Sequence, residues 1–251
     1  MNDVPNLGLY LQLFKGREDY FAQQGEDWYS PVPKALDEVY LRRHFEGDAT
    51  FGLYVLNRKS CCHLVCIDID IPKSELGKVD FSNPGEKYGY LKHKLDAILE
   101  ALSGQLAVHP ESILLEETGG RGYHIWVFFS GPVQGLTAVT FGEVLKTHLE
   151  FEIEFFPKQS RLTPNRKYGN LIKLPLGVHQ KYGAKSLFFC LSSQGPQTFT
   201  GITENLVHLR AISPLDPEVL DRSLAAFKGK LSLREETPDS IARLYQERPY
   251  F

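Results

Sequence analysis

The sequence predicts a mixed α and β fold in which a sheet packs against helices. Strand-like apolar runs dominate the middle of the chain, and amphipathic helical periods separate them. Neither an internal repeat nor a polar linker divides the 251 residues into separate units, and a 42% hydrophobic content suffices for one sizeable core. Both α/β and α+β arrangements satisfy this order of elements.

The opening "MNDVPNLGLY" has neither the basic stretch nor the apolar run of a secretory signal, and "LYLQLFKGREDYFAQQ" reads as partly helical. In "PKALDEVYLRRHFEG", Leu36, Val39, Tyr40 and Phe45 fall near helical spacing, with Gly47 as the stop. "FGLYVLN" and "HLVCIDID" read as two strands of a hairpin around "RKSC". Residues 72–86, with Pro72, Gly77, Pro84 and Gly85, read as a loop. "GYLKHKLDAILEALSG" is an amphipathic helix with Leu91, Leu95, Ile98, Leu99 and Leu102 on one face and Gly104 just past its end. "SILLEE", the turn "TGGRG" and "YHIWVFF" form a second hairpin. A helix over about 137–149 follows, then strands "FEIEFF", "NLIKLPLG" and "KSLFFCL". Two or three helices close the chain. The clearest is "DPEVLDRSLAAFKGK", capped by Asp216 with Pro217 in its first position.

Composition removes several function classes. A net charge of −3 does not suit coating of nucleic acid by global charge, so an anionic partner needs a local basic patch or metal ions. The four cysteines form no CxxC pair, and Cys61, Cys62 and Cys66 crowd one apolar strand. No zinc is therefore expected, and buried free thiols in a reducing cytoplasm are. No run approaches the roughly 18 apolar residues of a membrane span, so no membrane partner is expected.

The stretch "CCHLVCIDID" ends an apolar strand on two acids. Side chains alternate along a strand, so Asp68 and Asp70 share a face while Val65, Ile67 and Ile69 point to the other. Their Cβ atoms would lie about 6–7 Å apart, from a rise of roughly 3.3 Å per residue. Such a pair can hold one hard cation or bridge two, as Mg²⁺ or Mn²⁺, or it can end an exposed strand beside Lys73. "EETGGRGYHIW" places three glycines and Arg121 before a strand on which His124, Trp126 and Phe128 share a face. Glycines let a backbone approach an anion closely, and a guanidinium grips phosphate bidentately. The other reading is a plain glycine-rich turn with His124 satisfied in the core. In "HLEFEIEFFPKQ", Glu150, Glu152 and Glu154 alternate with Phe151, Ile153 and Phe155, which offers a further carboxylate or a solvated face. "RKYGNLIKLPLGVHQKYG" supplies Arg166, Lys167, Lys173, His179 and Lys181. Lys173 lies between Ile172 and Leu174 and needs an anion, either a triphosphate or an acid of one of the acidic strands.

Together "IDID", "TGGRGYH" and "FEIEFFPKQ" resemble, in order and spacing, the three motifs of the archaeo-eukaryotic primase superfamily. "FKGREDYFA", "FGLYVL", "TGGRGYHIWVFF" and "GNLIKLPLGVHQKYG" look more narrowly like the primase-polymerase modules of its conflict-system and CRISPR-associated branch, over roughly residues 9–185. The resemblance implies a single catalytic domain over 1–251 in a prokaryotic cytoplasm. Its palm, a sheet related to the RNA-recognition motif, would span about 61–200. A smaller N-terminal α/β unit would span about 1–60, with C-terminal helices at about 201–251. It implies a two-metal nucleotidyltransferase using two Mg²⁺ or Mn²⁺ ions, nucleoside triphosphates, a single-stranded DNA template and a primer. Asp68, Asp70 and Glu154 would be the metal ligands, with Glu152 on the same expected face as Glu154. Thr118, Gly119, Gly120, Arg121, Gly122 and His124 would hold the triphosphate. Lys158, Gln159, Asn170 and Lys173 would add contacts to the nucleotide. Candidates for gripping the template are Arg42, Arg43, Lys59, Arg161, Arg166 and Lys167. Two alternatives stand beside this reading. One is a two-metal nuclease or phosphohydrolase using the same acids. The other is a non-catalytic nucleic-acid binder that stacks bases on Trp126 and Phe128.

Overall fold

The computed structural model describes residues 6–25 and 28–231. The chain is α+β, with two antiparallel sheets. Helix α1 (Leu7–Leu13) leads into β1 (Phe21–Gln24) and β2 (Tyr29–Val32). Helix α2 (Glu38–Glu46) begins where the Asp37 carboxylate accepts from the amides of Val39 and Tyr40, and stops at Gly47 with φ 91°. Strand β3 (Phe51–Tyr54) follows. It lies between β1 and β8 (Leu171–Lys173) in a four-stranded sheet of order β2-β1-β3-β8. The smaller unit at the N-terminus thus takes its last strand from far along the chain.

Strand β4 (Cys61–Asp70) starts the larger sheet. The expected hairpin between "FGLYVLN" and "HLVCIDID" does not form, because β3 and β4 belong to different sheets. Each is apolar along nearly its whole length and is paired on both sides. The Asn57 side chain redirects the chain between them by accepting from the amides of Lys59 and Cys61 at 2.9 and 3.0 Å. Helix α3 (Pro84–Glu100) is capped by Asn83 and buries Leu91, Leu95 and Ile98. It runs on through one wider turn, Ala101–Gln105, that contains Gly104. The left-handed residue after it is Ala107, at φ 54°, and not Gly104 as expected.

The second expected hairpin is present as β5 (Ile113–Glu117) and β6 (Gly122–Gln134). Helix α4 (Gly135–Lys146), β7 (Glu154–Phe156), β9 (Leu187–Ser192) and β10 (Gly195–Thr198) complete a sheet of order β10-β9-β5-β6-β4-β7. Only the last three residues of "FEIEFF" are strand. The last pair of β7 already sets Glu154 opposite Asp68, and two pairs further Glu152 would face Asp70; like charges directly opposite are destabilising, so the register does not favour a longer strand. Phe151 instead packs against His93 of α3, and Glu150 and Glu152 are exposed. Helices α5 (Ile202–His208) and α6 (Pro217–Leu231) end the described chain, with the Glu218 amide on the Asp216 carboxylate at 2.9 Å.

One face of the large sheet meets α3, α4 and α6. The other meets the N-terminal segment through Phe14, whose ring stands edge-on to Trp126 and Phe128 at 5.2 and 5.3 Å. His124 and Asp68 lie on this second face, at the end of the sheet where Phe14 no longer covers it.

Candidate active site

Register brings the acids together. Asp68 of β4 is flanked by His124 of β6 on one side and Glu154 of β7 on the other. Asp70 lies two residues along the same face, opposite Gly122. Asp68, Asp70 and His124 sit at the mouth of a cavity of about 340 Å³ between the two sheets, and Glu154 stands exposed outside its lining. Asp68, Asp70, Thr118, Arg121, His124 and Lys173 line it. Lys73, His179, Lys181 and Tyr182 add to the same wall, and Gln24 and Tyr29 close it from the small sheet. Lys158, Gln159 and Asn170 lie outside this lining. Lys158 pairs with Glu154 at 3.0 Å and covers the Phe156 ring. Gln159 donates to the Arg161 carbonyl.

The centre of the site is a residue that sequence reasoning missed. Glu116 of β5 is fully buried. Its Oε2 sits 2.8 Å from His124 Nδ1 and accepts from Trp126 Nε1 at 2.8 Å, while Lys173 Nζ stands 3.5 Å from Oε1. Lys173 also donates to Ser186 Oγ at 3.0 Å. Burial alone would raise the Glu116 carboxyl. The charges of His124 and Lys173, with hydrogen bonds from His124 and Ser186, overcome that and hold it at about 2. Burial likewise works against a charged His124, but Glu116 and then Asp68 outweigh it and hold the imidazole above its usual value. Lys173 thus has the anionic partner its apolar setting demanded, supplied by Glu116 of β5. The available signal was an acid inside an apolar strand, placed by hairpin register directly opposite His124.

The glycine hairpin is packed as tightly as its composition implies, but against the chain itself. A Cβ on Gly122 would collide with the Ile69 carbonyl, and one on Gly119, at φ 70°, with that of Ala184. The amides of Gly119 and Gly120 bond to Glu117 and Thr118 at 3.2 Å, and the Thr118 hydroxyl donates to the Gly122 carbonyl at 3.0 Å. Lys87 of α3 grips this turn from behind, pairing with Glu117 and donating to the Gly120 carbonyl at 2.8 Å. Arg121 reaches over the cavity edge to Asp70 and the Ile71 carbonyl.

The carboxylates repel. Burial pushes Asp68 well above the usual carboxylate range; His124 opposes this, while Asp70, Glu154 and Glu116 add to it. Burial also raises Asp70, against the pull of Arg121. Asp68 Oδ1 is sealed from solvent without a hydrogen-bond partner. A hard divalent cation would satisfy that oxygen and remove the repulsion, so the donor set fits such an ion. Among the described residues, no three His, Cys, Asp or Glu side chains already stand as a ready ligand cluster. Asp70 is turned to Arg121, and Glu154 to Lys158.

The remaining candidates divide. Arg42 and Arg43 lie on α2, with Arg42 beside Glu38 at 3.8 Å, and do not line the cavity. Lys59, Arg161, Arg166 and Lys167 are exposed on two turns that touch each other. Trp126 and Phe128 are 0% and 1% exposed, so the base-stacking platform of the non-catalytic alternative does not exist. No helix among the described residues is long and apolar enough to cross a membrane.

A search of curated proteins finds no match. Among solved structures, the chain is similar to the AEP domain of the primase-polymerase of cyanophage S-2L. Identity is 14% and the TM-score 0.46, over 88% of this chain and 98% of that one. The family model described as "TOTE conflict system, Archaeo-Eukaryotic Primase domain" matches residues 30–221, from β2 into α6. That assigns the conflict-system branch and not specifically a CRISPR-associated one. By the extent of this match, the chain belongs to the archaeo-eukaryotic primase domain family of TOTE conflict systems.

Proposed function

We propose that the chain is a template-dependent nucleotidyltransferase. It joins nucleoside triphosphates to a 3′-hydroxyl and starts primers on single-stranded DNA, with two Mg²⁺ or Mn²⁺ ions held by Asp68, Asp70 and Glu154. The observation that carries this reading is the alignment of Asp68 between His124 and Glu154, with one buried oxygen unpartnered. Family membership supports it. The bound cations would lower the pKa of the attacking hydroxyl and stabilise the oxygens of the departing pyrophosphate.

The protein's own part is electrostatic preorganisation. His124 and Lys173 project toward the cavity from different sheets, and both are held by Glu116, so their positions are set before any ligand arrives. His179, which burial and Lys173 push down to about 4, is neutral at pH 7 and offers a hydrogen bond on the same wall, next to Lys181. Arg121 and Lys158 compensate Asp70 and Glu154 in the absence of cations. With cations held by Asp70 and Glu154, Arg121 and Lys158 would be freed from these pairs, and Arg121 would be within the cavity wall to meet a triphosphate.

The test is primer extension and primer synthesis on single-stranded DNA with Mn²⁺ and labelled nucleotides. Products longer than the input are expected. The double variant Asp68→Asn, Asp70→Asn should lose at least a thousandfold in rate with its fold intact. Strands that are only shortened would establish the nuclease alternative instead.

A further inference from the structure

The molecule carries a net charge of −3, but its charge is segregated. Residues 57–60 and 157–170 contain six of the chain's 28 lysines and arginines and none of its 31 acids. The fold brings these two segments together: the Leu162 amide donates to Ser60 Oγ at 2.9 Å, setting Arg161 beside the turn that bears Arg58 and Lys59. A third segment ties in the other end. Arg17 donates to the Lys167 carbonyl and pairs with Asp19 at 2.7 Å, and Asp19 lies 4.0 Å from Arg58. Arg58, Lys59, Arg161, Arg166 and Lys167 are all exposed. Arg17, only 9% exposed, is their anchor.

Two tyrosines sit within this basic ring. Tyr20 and Tyr168 are half-buried, with ring centroids 4.9 Å apart, and Tyr54 lies beneath Tyr168 at 5.5 Å. Lys167 Nζ stands 4.9 Å from the Tyr168 ring. The ring of charge is also continuous with the cavity. Phe156 and Leu171, the residues on either side of the 157–170 loop, both line it. Cations around aromatic faces are the means by which proteins hold a single strand without reading its sequence.

We propose that this face, formed by residues 15–20, 57–60 and 157–170, is the track along which single-stranded DNA reaches the cavity. The exposed cations take successive phosphates, and Tyr20 and Tyr168 meet bases. The proposal rests on the polymerase reading above, and it names where that activity's template lies.

The test is fluorescence anisotropy of a labelled 20-nucleotide oligothymidylate, titrated at several salt concentrations. The triple variant Lys59→Ala, Arg161→Ala, Lys167→Ala touches only exposed turns. It should bind at least tenfold more weakly at low salt. The slope of log affinity against log salt should fall by about 2, since each lost phosphate contact on a single strand removes roughly 0.7. Tyr168→Leu should weaken binding of the strand about fivefold or more with the salt slope unchanged. An unchanged affinity and slope in the triple variant overturns the proposal, as does equal binding of duplex and single strand with Tyr168→Leu silent. Mn²⁺-dependent binding of a triphosphate, measured on the same preparations, separates the two readings. Triphosphate bound without any strand defeats the track alone, and neither bound defeats the polymerase reading itself.

Discussion

Glu116 shows how one side chain organises the site. A fully buried carboxylate that braces both His124 and Lys173 is costly to leave incomplete, so its three partners hold one another in place. Glu116→Gln keeps the shape but removes the charge. We expect it to lower kcat/KM for the nucleotide about tenfold or more, mainly through KM, and to lower the melting temperature as well, because Lys173 and His124 lose the charge they are packed against. Unchanged kinetics would leave Glu116 a packing residue. Asp68 presents the opposite case, a carboxylate that the fold disfavours. At pH 8 in chelator, Asp68→Asn should raise the melting temperature by about 2–4 °C, from roughly 1 kcal/mol of relieved desolvation and repulsion. Mn²⁺ should then stabilise the wild type and not the variant, as thermal melts with and without the ion would report. Strand alternation made the Asp68–Asp70 pair and the face of His124 legible in the sequence. Glu116 was missed because "LLEE" reads as the polar end of a strand, although the expected hairpin already sets it opposite His124.

At the scale of elements, what was legible was local. The capped helices α2, α3 and α6 and the glycine hairpin follow from caps, periodicity and turn residues within a few positions of one another. The misread features depend on distant partners. "FGLYVLN" and "HLVCIDID" look like hairpin arms because only the five residues 58–62 separate them. Nothing local reveals that one pairs with 171–173 and the other with 122–134. The short polar strand β10 escaped notice because it carries no apolar alternation and is held only along the edge of β9.

The stability of the whole molecule depends in part on one acid-sensitive contact, between α2, β3 and the segment that follows β8. His44 of α2 is completely buried. Its Nδ1 accepts from the Phe51 amide at 3.1 Å, and its Nε2 faces the carbonyls of Leu174 and Pro175. Burial, aided by Lys173, pushes its pKa down to about 4, against about 6.5 when unfolded. Between these values the unfolded chain binds a proton that the native one refuses, so stability falls as pH drops from 6.5 toward 4. The loss from this group should approach 2–3 kcal/mol. Melting temperatures measured from pH 7 to 4.5 should therefore decline more steeply for the wild type than for His44→Gln. Parallel curves would remove His44 as the cause.

Strand β8, which delivers Lys173 to Glu116, is also the outer edge of the small sheet. During synthesis the first three strands of that sheet leave the ribosome well over a hundred residues before their fourth. A folding intermediate that pairs β1, β2 and β3 has to wait with one margin open while the entire catalytic hairpin is made. The sheet begun first thus stays incomplete until residue 173, and nascent chains arrested before that point should be the ones that chaperones and proteases find.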